Sequence, residues 1–197
     1  MRLIPPLLTI FKSGAMRRPL PLRFAATAMV GLSLLSACAS HRANDADDAV
    51  PSRTALTIHL VRHAEKASDN PKDPGLTDAG ILRAERLAAI LHNDAVVAVY
   101  ATGYRRTQAT AAPTAIAHGL AIQTYDASVS AQDFVARLRS EYDQGAILVV
   151  GHSNTVASIA TALCRCEVSP LREDEFDRWL TLRISADGTD TLQTRRY

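Results

Sequence analysis

Four times between residues 56 and 163 a short run of β-branched and aliphatic residues gives way to a longer stretch whose apolar positions recur at helical spacing. The runs cover 56–61, 96–100, 120–124 and 146–150, and the stretches that follow occupy 77–92, 106–118, 131–142 and 155–163. This alternation constrains the fold strongly, because successive strands joined through helices run parallel and need helices to cover them. The expected class is α/β, a three-layer sandwich with a mainly parallel sheet flanked by helices. Thr77 is placed to cap the first helix, which should turn Leu82, Leu87, Ile90 and Leu91 to one face and end near His92. The tail breaks the alternation: residues 179–185 and 191–196 flank the turn-forming 186–189, which predicts an antiparallel C-terminal edge hairpin.

The beginning of the chain reads differently. Residues 1–37 carry Arg2, Lys12, Arg17, Arg18 and Arg23 without a single acid, then the apolar run 24–37, then Cys38. That is the pattern of an export signal. The run is shorter than the roughly 20 residues that an α-helix needs to cross a bilayer, which disfavours a permanent span. Leu35-Ser36-Ala37-Cys38 resembles the lipobox of bacterial lipoproteins, with ordinary cleavage nearby as the alternative. Lipidation of Cys38 would anchor the chain to a membrane of the bacterial cell envelope, facing the periplasm or the exterior. Met16 precedes Arg17-Arg18 and would also start a signal of normal length. Residues 38–54 are small and polar with one proline and read as a flexible tether, leaving 55–197 as the folded domain.

The formal charge of +2 belongs to the leader. Without its five basic residues the 22 Lys plus Arg fall to 17, against 20 Asp plus Glu. A mildly acidic domain with no basic cluster among aromatics excludes nucleic acid as a partner. Cys164 and Cys166 could pair in a tight ring or with another chain; packed or loop thiols are the expectation, and the pair alone does not make a zinc site.

Ligands of open α/β sheets bind beyond the carboxyl ends of the strands. The first run ends in Arg62-His63, the second leads into Thr102-Gly103-Tyr104-Arg105-Arg106, and the fourth ends in Gly151-His152-Ser153-Asn154. Guanidinium forks bind a tetrahedral oxyanion in pairs, helix N-termini add N–H donors, and an adjacent imidazole can act as a nucleophile. Gly151 to Thr155 comes close to the Gly-x-Ser-x-Gly elbow of serine hydrolases, but no histidine follows Ser153 to complete the required order. His59 and His63 would lie about 13 Å apart on a strand and cannot share a metal; His59 reads as a wall residue of the sheet, and His41, His92 and His118 as solvated. The acidic run 173–178 reads as a solvated helical turn without chemistry.

LVRHAEK at 60–66, LTDAG at 76–80, YATGYRRTQATA at 100–111 and VVGHSNT at 149–155 together resemble the histidine phosphatase superfamily, which includes the cofactor-dependent phosphoglycerate mutases. The resemblance implies His63 as the nucleophile, with Arg62, Arg106 and His152 holding the phosphoryl oxygens of a small phosphorylated substrate, and no metal or other cofactor. Alignment on Thr110-Ala111 selects Arg106 rather than Arg105. Ala64, Gly103 and Arg83 depart from common family residues. The proton donor lies outside these motifs; Asp126 and Glu65 are the candidates. Hydrolysis is favoured over mutase-like transfer, because the chain is small and its loops are short for a closed lid; a phosphate-binding module without turnover is the non-enzymatic alternative. Nothing in the pattern sets an oligomeric state.

Overall fold

The computed structural model describes residues 56–185 and 189–197. The leader, Cys38, the tether and residues 186–188 of the expected hairpin turn lie outside the described residues. In chain order the elements are β1 Leu56–Arg62, α1 Asp78–Leu91, β2 Val96–Ala101, α2 Arg105–Ala117, β3 Ile122–Thr124, α3 Ala131–Glu141, β4 Gly145–Gly151, α4 Ser153–Cys164, β5 Arg178–Ile184 and β6 Thr191–Arg196. One six-stranded sheet runs β3-β2-β4-β1-β5-β6. Its β1, β2, β3 and β4 are parallel, and β5 pairs antiparallel with both β1 and β6, which places the hairpin at the edge as expected.

Strand alternation divides the core into two layers. From β4, Ile147 and Val149 face the cluster containing Phe134 and Leu138 of α3 and Val156, Ile159 and Leu163 of α4. Leu148 and Val150 face the opposite cluster, with Leu87 and Leu91 of α1 and Ala111 and Ala115 of α2. The sheet is therefore covered on both sides, the arrangement that the alternating pattern demands. Among the described residues no helix is long and apolar enough to cross a membrane.

Three local expectations are corrected. The third strand starts at Ile122, not at 120, because Leu120 N–H donates to Ala115 O (2.9 Å) and Gly119 N–H to Ile116 O (3.1 Å). With Gly119 at φ 65°, these two bonds close α2 as a Schellman motif and remove residues 119 and 120 from the strand. In α1 the buried stripe is Gly80, Ala84, Leu87, Ala88 and Leu91, whereas Leu82 and Ile90 are exposed. Small residues seat this helix close to its neighbours, so its inner face is set by spacing rather than by the largest apolar side chains. Finally, Cys164 and Cys166 are not free thiols but bonded to each other. Between them Arg165 takes a left-handed conformation, φ 53°, at the end of α4, which turns the chain back and brings the flanking Cα atoms to 5.1 Å.

Gly80 explains the LTDAG segment. Thr77 caps α1 by accepting from Gly80 N–H at 3.1 Å, while Thr77 N–H donates to Glu65 O at 2.9 Å. A Cβ on Gly80 would stand 2.5 Å from that same Glu65 oxygen, which is backbone and cannot swing aside. The helix start is thus pressed against the turn that follows His63. Gly80→Ala is expected to destabilise the domain by about 1–3 kcal/mol, read as a lower midpoint in urea unfolding; an unchanged midpoint would refute the close approach.

Candidate active site

The parallel ladder pairs Arg62 of β1 with Gly151 of β4, so both strands end at one level. Just beyond, His63 N–H donates to Gly151 O at 2.9 Å. His63 and His152 then meet edge to face, ring centroids 5.5 Å apart. β2 lies on the other side of β4, and the first turn of α2 supplies Arg106. The structure therefore brings Arg62, His63 and His152 together at the carboxyl end of the sheet, with Arg106 close enough for its charge to act on both rings.

His63 is buried, and its Nδ1 lies 2.8 Å from the carbonyl of Ala64. A carbonyl only accepts, so Nδ1 carries the proton and Nε2 keeps its lone pair. Burial lowers the pKa of His63 to about 4; the Ala64 carbonyl opposes this, while the charges of Arg62 and Arg106 and the neighbouring His152 reinforce it. His152 is also lowered to about 4, again chiefly by burial and then by Arg106 and Arg62. Desolvation thus outweighs the arginines as the reason these rings stay neutral.

Threonines fix His152. Its N–H donates to Thr155 Oγ1 at 2.8 Å, and its Nε2 lies 2.9 Å from Thr102 Oγ1. Thr107 Oγ1 sits 2.9 Å from Thr102 O and 2.8 Å from Tyr104 O, so its proton is taken by a carbonyl. Thr102 therefore donates to Thr107 across 2.8 Å and accepts from His152 Nε2–H. Thr102 and Thr107 are buried positioning residues that motif reading passed over, although both lie within YATGYRRTQATA.

The two arginines are held alike. Arg62 has its guanidinium over the Phe176 ring (4.6 Å), Nη1 donating to Arg172 O and Glu173 O (2.7 and 2.8 Å), and Nη2 donating to Glu173 Oε2 (3.0 Å). Arg106 lies over the Tyr104 ring at 4.4 Å, with Nη1 3.8 Å from Asp73 Oδ1. Both Nε atoms are buried without a hydrogen-bond partner among the described residues. Arg105 turns outward to Asp69 at 3.0 Å, so of the two arginines it is Arg106 that turns inward.

The two candidate proton donors stand elsewhere. Glu65 is clamped by Arg83 through contacts of 2.7 and 3.0 Å, and these bonds hold its carboxyl below the ordinary range. Arg83 also donates to Tyr197 O at 2.8 Å, which gives this departure from the family pattern a structural task. Glu65 is therefore corrected as a donor: it is ionised and engaged away from His63. Asp126 is exposed, accepts from Ser128 N–H and Oγ–H at 2.8 and 2.7 Å, and is likewise held low by them. It lines an open cleft with Thr102, Tyr104 and Ser128, of which Thr102 and Tyr104 contact His152.

The 173–178 run is the second correction. It is a turn leading into β5 rather than a helical turn, and it folds over the site: Glu173 reaches Arg62 and Ser153, and Phe176 lies 6.1 Å from the His63 ring. No periodicity marks it, since its contacts are made by irregular backbone. His59 is a wall residue as expected, buried between Asp94, Thr181 and Trp179. His92 is exposed as expected, whereas His118 has Nε2 buried without a partner among the described residues.

The family model of the histidine phosphatase superfamily, branch 1, matches residues 58–128. No curated protein sequence matches the chain. Solved structures do. The protein histidine phosphatase SixA in complex with tungstate is 17% identical, with TM-score 0.58 over 71% of this chain and 96% of that one. A Nakamurella multipartitia protein assigned as the phosphohistidine phosphatase SixA is 23% identical, TM-score 0.57, covering 74% of this chain and 98% of its own. A phosphoserine phosphatase from Entamoeba histolytica, in complex with 3-phosphoglyceric acid, is 14% identical, TM-score 0.56, over 72% and 97%. At these identities the shared property is the fold.

The depressed histidines set a pH dependence of stability. Unfolded, these imidazoles titrate near the ordinary 6.5, whereas in the fold His63 and His152 titrate at about 4. His59 joins them at about 4, through burial that outweighs the pull of Asp94. Between those values the unfolded chain binds more protons, so stability present above pH 6.5 is lost as the pH falls toward 4. The expected loss in urea unfolding is on the order of 1–3 kcal/mol per histidine, with a shallower slope in His63→Gln. A flat profile across this window would contradict the assignment.

Proposed function

We propose that this chain is a member of the histidine phosphatase superfamily, whose family model matches residues 58–128, and that it is a phosphatase hydrolysing a small phosphorylated compound through a phosphohistidine on His63. The observation that carries the reading is the state of His63: neutral, with Nδ1–H committed to Ala64 O, beside two arginines whose buried Nε atoms lack partners. An oxyanion seated there would satisfy both Nε groups, and an unprotonated Nε2 is the form that attacks phosphorus. His63 Nε2 bonds to phosphorus as the bond to the leaving oxygen breaks, and that oxygen takes up a proton from solvent, matched by the proton that the attacking water gives up in the second step. Arg62 and Arg106 stabilise the charge on the three equatorial oxygens, and His152 joins them by turning its Nε2–H from Thr102 to a phosphoryl oxygen. Water then attacks the phosphohistidine, the P–N bond breaks, phosphate leaves, and Nε2 recovers its lone pair.

Water is favoured over a second substrate hydroxyl because the cleft of Thr102, Tyr104, Asp126 and Ser128 is open to solvent, with Asp126 and Ser128 exposed. Neither Asp126 nor Glu65 rests in contact with His63, and both are held ionised. The chemistry therefore suits leaving groups that depart with little help from a proton donor. The lipid anchor at Cys38 and an envelope location belong to the same proposal, supported by the pattern of the leader.

Incubation with a labelled phosphomonoester followed by quenching is expected to leave acid-labile, base-stable phosphate on His63. Normal turnover by His63→Ala would sink the reading. Arg106→Ala is expected to lose about 10²–10³-fold in kcat, as for removal of one donor to a developing oxyanion. An aryl phosphate should be hydrolysed faster than an alkyl phosphate; equal rates would show that a proton donor is in place after all.

A further inference from the structure

Arg62 binds an oxyanion best along the edge formed by Nε and Nη2, whose N–H bonds point the same way. Its other nitrogen, Nη1, is already spent on the carbonyls of Arg172 and Glu173 at 2.7 and 2.8 Å. On the edge itself Nε is buried and unpartnered, but Nη2 donates to Glu173 Oε2 at 3.0 Å. The other carboxylate oxygen, Oε1, accepts from Ser153 Oγ at 3.2 Å. The two partners differ sharply in exposure: the Arg62 side chain is 3% accessible and that of Glu173 is 80% accessible. A surface carboxylate thus reaches inward to occupy one arm of a buried fork, and it regains solvent fully when it lets go.

We propose that Glu173 is a built-in rival to the phosphoryl group for Arg62, a specificity-determining residue that sets how weakly the site holds inorganic phosphate. This rests on the phosphatase reading above. A phosphate oxygen arriving at Nε and Nη2 displaces Glu173 from Nη2 and then stays close to its charge, so binding is opposed twice, by the lost ion pair and by like-charge repulsion. Product phosphate has only the cradle to hold it and feels the penalty in full. A substrate adds contacts from its leaving group and offsets part of it. Asp73 stands near Arg106 at 3.8 Å, too far for a hydrogen bond, and provides the comparison.

Inorganic phosphate titrated calorimetrically into the full domain is the direct test. Glu173→Gln is expected to bind phosphate about 5- to 10-fold more tightly than wild type, the scale of one near-surface charge, with KM lowered and kcat unchanged or reduced by slow release. Ser153→Ala, which frees one carboxylate oxygen, should shift affinity in the same direction by less, and Asp73→Asn by less than Glu173→Gln. Because Glu173 is exposed, unfolding is not expected, and melting temperatures of the variants check that. Unchanged or weaker phosphate binding in Glu173→Gln would overturn the proposal, weaker binding being the mark of a residue that only props Arg62 in place. Phosphate binding that is absent in both wild type and Glu173→Gln would strike the phosphatase reading itself, a different outcome from wild-type binding that Glu173→Gln fails to tighten.

Discussion

Arg62 and Gly151 sit opposite each other on the β1–β4 ladder, and the site is laid out from that pairing. In a strand the side-chain period is two, so a slip of one residue would send the Arg62 side chain to the opposite face and move His63 off Gly151 O. The register is fixed from both sides of the sheet by side chains that alternate between the two cores, Ile58 and Leu60 toward one and Val61 toward the other. Gly151 is itself constrained: a Cβ there would lie 2.5 Å from Thr155 Oγ1 and 2.8 Å from Tyr125 Oη. The bare backbone at this point lets α4 begin immediately, which sets His152 as its cap and aims the ring at His63.

That dependence explains what could be read from the chain and what could not. Arg62, His63, Arg106 and His152 lie where regular elements end, so runs and caps locate them without knowledge of tertiary contacts. The preference for Arg106 over Arg105 comes instead from the resemblance, by alignment on Thr110-Ala111. Glu173 and Phe176 are different. They reach Arg62 across 111 and 114 positions of sequence, from a segment with no hydrogen-bonded period, and their placement rests on two backbone carbonyls gripping Arg62 Nη1. A run of acids looks solvated in sequence because nothing local shows that one of them has a buried cation within reach. The bond between Cys164 and Cys166 escaped for a related reason: it depends on a non-glycine residue in the left-handed region, which propensity argues against.

The same logic bears on Glu65. It stands two residues after His63, and proximity in sequence made it a candidate proton donor. The strand ends at Arg62, however, so its alternation no longer sets where residue 65 points, and Glu65 points to Arg83, a residue of α1. The clamp serves the fold instead, joining the turn after β1 to α1 and, through Arg83, to the last residue, Tyr197. A carboxylate in a bidentate ion pair is a poor place to store a proton, because protonation would cost that pair.

The division of labour between sheet and loops is the physical theme that remains. Burial keeps both imidazoles neutral, and that burial is set by the strand ends and the helices packed on them. The arginines cannot be neutral, so their charge has to be met by something else: aromatic faces at 4.6 and 4.4 Å and carboxylates from two separate loops. Those carboxylates are the part of the site that can move at little cost, because their loops face solvent. Strand ends therefore position His63, while the counter-charges come from loops, where substitution can tune anion affinity without disturbing the histidine.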